Sequence, residues 1–354
     1  MILDGKRILI TGGTGSLGQV LTRRILSGDL GAPRKVIVLS RDEAKQHEMR
    51  LSYLHKKATT DEVIYENFTR ALEFRIGDVR DFADVASAVR DADIVVNAAA
   101  LKQVPTCEYF PEQALLTNCT GAVNIVRAIR EQALPVETVV GVSTDKACMP
   151  VNVMGMTKAL QERIFVSANI LVPKTRFVCV RYGNVLASRG SVIPLFHEQI
   201  RRGGPVTVTV PDMTRFLLSL DQAVDTVFAV LRSGRPGETW VPRSPSARVI
   251  DLAQALIGDR DVEILQQGIR PGEKMHEVLV SEEECHHAYP RDGHYAIAPM
   301  LPELRGSDPG RETPLERELS SASAVIEADA VGALLRQHQL MVDQVAPDAG
   351  ELLR

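Results

Sequence analysis

No stretch of this chain restricts its fold as tightly as Thr11-Gly12-Gly13-Thr14-Gly15-Ser16-Leu17-Gly18. A short apolar run, Arg7 to Ile10, leads into it and reads as a strand; Gln19 to Leu26 follows and reads as a helix. Gly13, Gly15 and Gly18 fit G-x-G-x-x-G, while Gly12, Gly15 and Gly18 fit G-x-x-G-x-x-G. In either register the glycines let the backbone turn tightly and approach a pyrophosphate, which then rests on the helix N-terminus. A glycine pattern alone is weak, but here it stands between strand and helix, as the dinucleotide fingerprint requires. Gly12, Thr14, Gly15, Ser16, Leu17 and Gly18 are the expected contacts.

The same alternation continues. Lys35 to Ser40 reads as the second strand and ends in Arg41-Asp42-Glu43. An acidic residue here would bind an NAD ribose, whereas an arginine accepts a 2′-phosphate. Arg41, with Ser40 before it and Lys45 after it, favours NADP over NAD. Leu72 to Ile76 leads to Asp78-Val79, where Asp78 is placed to meet the adenine amino group. A helix from Ala83 to Arg90 precedes the strand Ile94 to Asn97. The small residues Ala98, Ala99 and Ala100 after it would let the backbone lie close to a nicotinamide ribose. Asn118 opens a further helix. Repeated strand–helix units of this kind predict an α/β fold, a Rossmann-type doubly wound parallel sheet.

A second constellation lies at Ser143-Thr144-Asp145-Lys146, which ends the apolar run Thr138 to Val142. Met154-Gly155-Met156-Thr157-Lys158 follows, and Thr157 to Ala168 reads as a helix. Ligand crevices in open parallel sheets lie at the carboxyl ends of the strands. One turn would therefore present an acid, an amine and a hydroxyl to a bound ligand, and Lys158 on the helix can face the same cleft.

Hydrophobic residues make up 45% and charged residues 24% of the 354, ordinary for a soluble enzyme. A net charge of −4 gives no ground for nucleic-acid binding. No segment has the apolar length of a membrane span, and the first residues lack the apolar core of a signal peptide. Cys107, Cys119, Cys148, Cys179 and Cys285 are scattered and odd in number; they read as reduced thiols of a cytoplasmic protein. Glu282-Glu283-Glu284-Cys285-His286-His287 resembles a metal tract, but its spacing does not converge on one ion, and no metal is expected.

Several longer stretches are specific. They are Ser40-Arg41-Asp42-Glu43, Ala99 to Pro105, Ser143 to Ala147, Arg181 to Phe196, Asp212 to Phe216 and Arg270 to Lys274. Through them the chain resembles the extended short-chain dehydrogenases/reductases. Within that group it resembles the UDP-N-acetylglucosamine 4,6-dehydratases of polysaccharide biosynthesis, the C5-inverting kind in particular. The resemblance covers about residues 5 to 285. It implies a nucleotide-binding part from 1 to 185, with 216–240 returning to it. It also implies a smaller interleaved substrate-binding domain from 186–215 and 241–301. Ser143, Lys158, Tyr182, Asn184 and Val185 are implied beside the cofactor. Lys102, Asn184, Arg189, Val192, Thr207, Thr209, Arg215, Arg270 and Glu273 are implied around the sugar nucleotide, with the arginines on its diphosphate. A homo-oligomer is expected.

The implied reaction is redox-neutral. C4 is oxidised at the expense of the cofactor, Lys146 removes the acidified C5 proton, Asp145 protonates the departing O6, and C6 is reduced again. For this Lys146 must be neutral, and burial beside Lys158 and a cationic nicotinamide is expected to depress its pKa. The Tyr-x-x-x-Lys pair of the superfamily appears as Met154-x-x-x-Lys158. A thioether exchanges no proton, so Thr144, Lys158 and a water are assigned the O4 proton. Two other readings stand beside this one: an epimerase of the same fold, and a non-catalytic NADP-binding regulator.

Beyond Pro302 the composition shifts toward Pro, Gly and charge, predicting an arm over 302–354 with a helix from Ala322 to Gln339. Phe216 to Arg232 and Ile250 to Ile257 are also predicted helices, and Val206 to Thr209 a strand.

Overall fold

The computed structural model describes residues 1–54, 62–186, 191–305 and 313–345. Six parallel strands form its centre: β1 (Arg7–Thr11), β2 (Lys35–Ser40), β3 (Leu72–Ile76), β4 (Ile94–Asn97), β5 (Thr138–Thr144) and β6 (Arg176–Tyr182). Their order is β3-β2-β1-β4-β5-β6, so the chain reverses direction across the sheet between β1 and β4. Thr239–Pro242 continues the sheet parallel to β6, and the hairpin Ala288–Arg291/His294–Ile297 closes it antiparallel. The sheet therefore takes in residues 288–297, which the sequence reading gave to the substrate-binding part.

Alternate residues of each strand face opposite layers, because successive side chains of a strand point to opposite faces. Ile8 and Ile10 of β1 join one core with Leu21, Ile25, Val224 and Phe228; Leu9 joins the other with Val85, Ile125 and Ile129. Burial on both faces explains why β2 is a continuous Val-Ile-Val-Leu run with no polar alternation.

A third core lies outside the sheet, where the helices Val192–Arg201 and Val249–Ile257 pack with Val206, Val208 and Leu217. Val331 and Leu335 of the helix Ala328–Gln337 are buried in it. The C-terminal helix thus docks on its own subunit. It starts six residues later than expected, since Ile326 first hydrogen-bonds Ser246 in extended conformation.

Phe216 begins no helix. Thr214–Leu218 is a fully buried strand between Ser246–Arg248 and Asn184–Val185. The helix starts at Leu220, where Ser219 and Gln222 form a reciprocal cap on its first turn. Asn118 likewise starts nothing; it lies within a π-helical turn, Leu116–Thr120, between two α-helical segments.

Candidate active site

The carboxyl ends of β1, β2, β4 and β5 open on one cleft of about 690 Å³. The glycine turn forms its floor. Gly12 has φ of +66°, and a Cβ there would stand 2.7 Å from the Cα of Ala99. Only glycine lets these two backbones meet. Gly15 caps the helix Ser16–Leu26, whose first residues Ser16, Leu17 and Gly18 line the cleft, while Gly13 packs behind against Gly18 and Val38. The register lining the cleft is therefore Gly12, Gly15 and Gly18. Thr11 holds the opposite wall: its hydroxyl accepts from the Ala99 amide at 3.2 Å, and its carbonyl accepts from the Ala98 amide.

Arg41, Ser40 and Lys45 stand together at one end. Arg41 is half exposed, with one guanidinium nitrogen 3.4 Å from Asp78. Burial works to raise the Asp78 pKa, but hydrogen bonds from Arg80 and the charge of Arg41 hold the carboxyl below its ordinary range. Val79, Ala98, Ala99 and Ala100 line the middle.

At the other end Thr144, Asp145 and Lys146 emerge from β5. The Thr144 hydroxyl donates to Asp145 Oδ1 at 2.8 Å, and Lys146 Nζ donates to the same oxygen at 3.0 Å. Lys146 also pairs with Glu277 Oε1 at 3.1 Å. Asp145 is fully buried. Burial pulls the Lys146 pKa down, but Asp145 and Glu277 outweigh burial and raise it. The expected depression is therefore reversed, chiefly by Asp145 and next by Glu277, a carboxylate that sequence reading missed. Glu277 sits in the charged run Glu273 to Glu277, with nothing local to single it out.

Lys158 lies one helical turn beyond Met154 on the helix Val153–Leu171. Its amine donates to the Val142 carbonyl and to Gln161 Oε1. Burial pushes its pKa down to about 8. Met154 is buried among Cys107, Ala114, Leu101 and Val104 and forms part of the cleft wall. Asn152 caps this helix through the Gly155 amide and donates to the Gly272 carbonyl, tying the Arg270–Glu273 loop to the site.

Ser143, Tyr182, Asn184, Val185, Lys102, Arg270 and Glu273 also line the cleft. Other expected residues do not. Asn118 stands behind the wall and brackets Leu101 by hydrogen bonds to its amide and carbonyl. Arg215 is buried, donates to the carbonyls of Thr214 and Met275, and acts on Lys146 by its charge. Thr207 is engaged by Gln199, Thr209 accepts from the Gly268 amide, and Val192 packs in the third core. Arg189 lies outside the described residues. Glu284 of the acidic–histidine tract forms a buried ion pair with Arg181, which also chelates Glu162.

The sequence profile of a family described as "Polysaccharide biosynthesis protein" matches residues 8–299. A UDP-N-acetylglucosamine 4,6-dehydratase (inverting) of Campylobacter jejuni is 40% identical over 303 residues, 85% of each chain. A UDP-glucose 4-epimerase of Rickettsia typhi is 40% identical over 345 residues, 96% of this chain and 91% of that one. Among solved structures, Pen from Bacillus thuringiensis is 31% identical with a TM-score of 0.85, over 96% of this chain and all of that one. The dTDP-glucose 4,6-dehydratase DesIV of Streptomyces venezuelae shares the fold, at 21% identity and a TM-score of 0.63 over 76% of this chain and 86% of that one. The chain belongs to the polysaccharide biosynthesis protein family, whose relatives here are enzymes of the short-chain dehydrogenase/reductase type named as nucleotide-sugar 4,6-dehydratases and 4-epimerases.

Proposed function

We propose that the protein is an NADP-dependent 4,6-dehydratase that converts UDP-N-acetylglucosamine to a 4-keto-6-deoxy sugar nucleotide with inversion at C5. The observation that carries this reading is the hydrogen-bonded chain Thr144–Asp145–Lys146 at the cleft. An acid and an amine that share a proton are what elimination of water needs and what epimerisation does not. The relatives named as 4-epimerases keep that second reading alive, and the two reactions differ in product mass.

The cleft fits a dinucleotide. Glycine-only contacts form its floor, the first residues of a helix line it, and the buried Ser143 hydroxyl and Asn184 side-chain Oδ1 meet no partner among the described residues. Arg41 and Lys45 supply the positive charge that suits a 2′-phosphate. When bound, the cofactor supplies the oxidation at C4 and the reduction at C6.

The residues do the rest. As C4 becomes a carbonyl, the O4 proton passes to the Thr144 hydroxyl, which gives its own proton to a water beside Lys158 and so stays neutral; the proton comes back by the same route when C5 is protonated. Lys146 and Asp145 rest as an ion pair; moving one proton along their hydrogen bond gives the neutral amine and neutral acid that elimination requires. The C5–H bond then breaks toward Lys146, its electrons form the C5=C6 double bond, and O6 leaves as water with the proton of Asp145. The ion pair is thereby restored. The protons lost from O4 and C5 match the one in the departing water and the one returned to C5, so turnover exchanges no net proton with solvent. Lys146→Ala and Asp145→Asn should each abolish dehydration, a loss on the order of 10²–10⁴-fold, while nucleotide binding persists. Undiminished turnover in either variant would remove that residue from its role.

Location and assembly belong to the same reading. A cytoplasmic enzyme is consistent with the described residues, none of whose helices is long and apolar enough to cross a membrane. Exposed Val123, Met156 and Leu160 on the adjoining helices Gly121–Glu131 and Val153–Leu171 support a homo-oligomer joined through that face.

A further inference from the structure

Glu277 is a carboxylate that the sequence motifs leave without a task. Its side chain is 2% exposed, and it reaches Lys146 from a different part of the chain than Asp145 does. Burying a charge costs several kcal/mol unless a partner compensates it, roughly as for any buried ion. The compensation comes from Lys146 alone: the other oxygen, Oε2, meets no donor among the described residues. The backbone here is held on both sides. The Glu277 amide donates to the Ser321 hydroxyl at 2.9 Å, and the Ser321 amide donates to the Glu277 carbonyl at 2.8 Å. Ser321 is in turn bonded to Thr214, whose hydroxyl meets His276 Nδ1 at 2.8 Å. The segment after residue 313 thus fixes this carboxylate from behind, ahead of the strand pair Val278–Val280/Leu319–Ser320.

We propose that Glu277 is a positioning residue of the reaction, holding the Lys146 amine in place and keeping within the cluster the proton that Lys146 and Asp145 exchange. This rests on the dehydratase reading of the cleft. The charged groups facing Lys146 are Asp145 and Glu277, which retain its proton, and Arg215, which opposes them. Two carboxylates thus face two cations, and the cluster is neutral as long as Lys146 keeps its proton. Loss of its proton at high pH leaves a neutral amine but no acid for O6, so activity ends there. Removing the Glu277 charge lets that proton leave at lower pH. The geometry also predicts that Lys146, freed on one side, drifts from C5.

The test is the pH dependence of kcat and KM for UDP-N-acetylglucosamine with the NADP-loaded full chain, in wild type, Glu277→Gln and Glu277→Asp. For Glu277→Gln, kcat should fall about a hundredfold with KM changed little. Its alkaline limb should move down by about one pH unit. Glu277→Asp should restore the limb to the wild-type position while kcat stays low, since the charge is kept and the reach is shortened. An alkaline limb unmoved in Glu277→Gln overturns the role. Should Glu277→Gln lack a cooperative melting transition, Glu277→Asp decides alone: wild-type kcat overturns the role, and reduced kcat on an unmoved limb supports it. If wild type itself releases no dehydrated product, the reading of the site fails, and this role with it; dehydration by wild type with an unshifted Glu277→Gln sinks the role only.

Discussion

Met154 occupies the position where the superfamily carries a tyrosine, and its surroundings explain what a thioether does there. It fills a small apolar cluster with Cys107 and Ala114 and shapes the wall beside Lys158. Met154→Ala should therefore lower stability, by about 2–5 kcal/mol for a buried methionine, yet retain substantial dehydration at a temperature where it is folded. The hydroxyl of Thr144, already bonded to Asp145, offers the route for the O4 proton. Thr144→Val should lose more activity than Thr144→Ser, because only serine keeps that hydroxyl. Thermal melts and steady-state rates on the three variants check both statements; an inactive Met154→Ala beside a fully active Thr144→Val would reverse the assignment.

At the scale of elements, the reacting turn is set by how closely two segments approach. A Cβ on Gly155 would lie 2.2 Å from the Lys146 carbonyl oxygen. The start of the helix Val153–Leu171 thus rests directly on the turn that carries Asp145 and Lys146. Gly155→Ala should displace that turn and cost about a hundredfold in kcat, while cofactor binding at the distant glycine turn is kept. Unchanged kcat in a folded Gly155→Ala would show that the turn is positioned otherwise. What was legible in the sequence follows the same logic. The β1–turn–helix unit could be read because glycines, apolar run and helical period coincide within twenty residues. Asp145 and Lys146 could be read as a pair because they are neighbours in the chain. Thr214–Leu218 could not: Phe216, Leu217 and Leu218 are all buried, and a run without polar alternation carries no period to separate strand from helix. Glu277 could not either, since its meeting with Lys146 depends on tertiary pairing across more than a hundred residues, and local spacing is silent about that.

Taken together, the glycine turn and the Thr144–Asp145–Lys146 turn share one cleft at the reversal point of the sheet, and Ser321 of the C-terminal segment holds the Glu277 backbone behind Lys146. Val123, Met156 and Leu160 are exposed on the helices Gly121–Glu131 and Val153–Leu171. Leu160→Asp should shift the protein toward monomer in light scattering without changing its melting temperature by more than a few degrees, as is usual for exposed positions; an unchanged assembly would remove this face from the interface. Dehydration is read from the mass of the nucleotide sugar after the wild-type enzyme is incubated with UDP-N-acetylglucosamine and NADP. A 4,6-dehydratase yields a product lighter than the substrate by one water; a product of unchanged mass, epimerised at C4, makes the protein an epimerase instead.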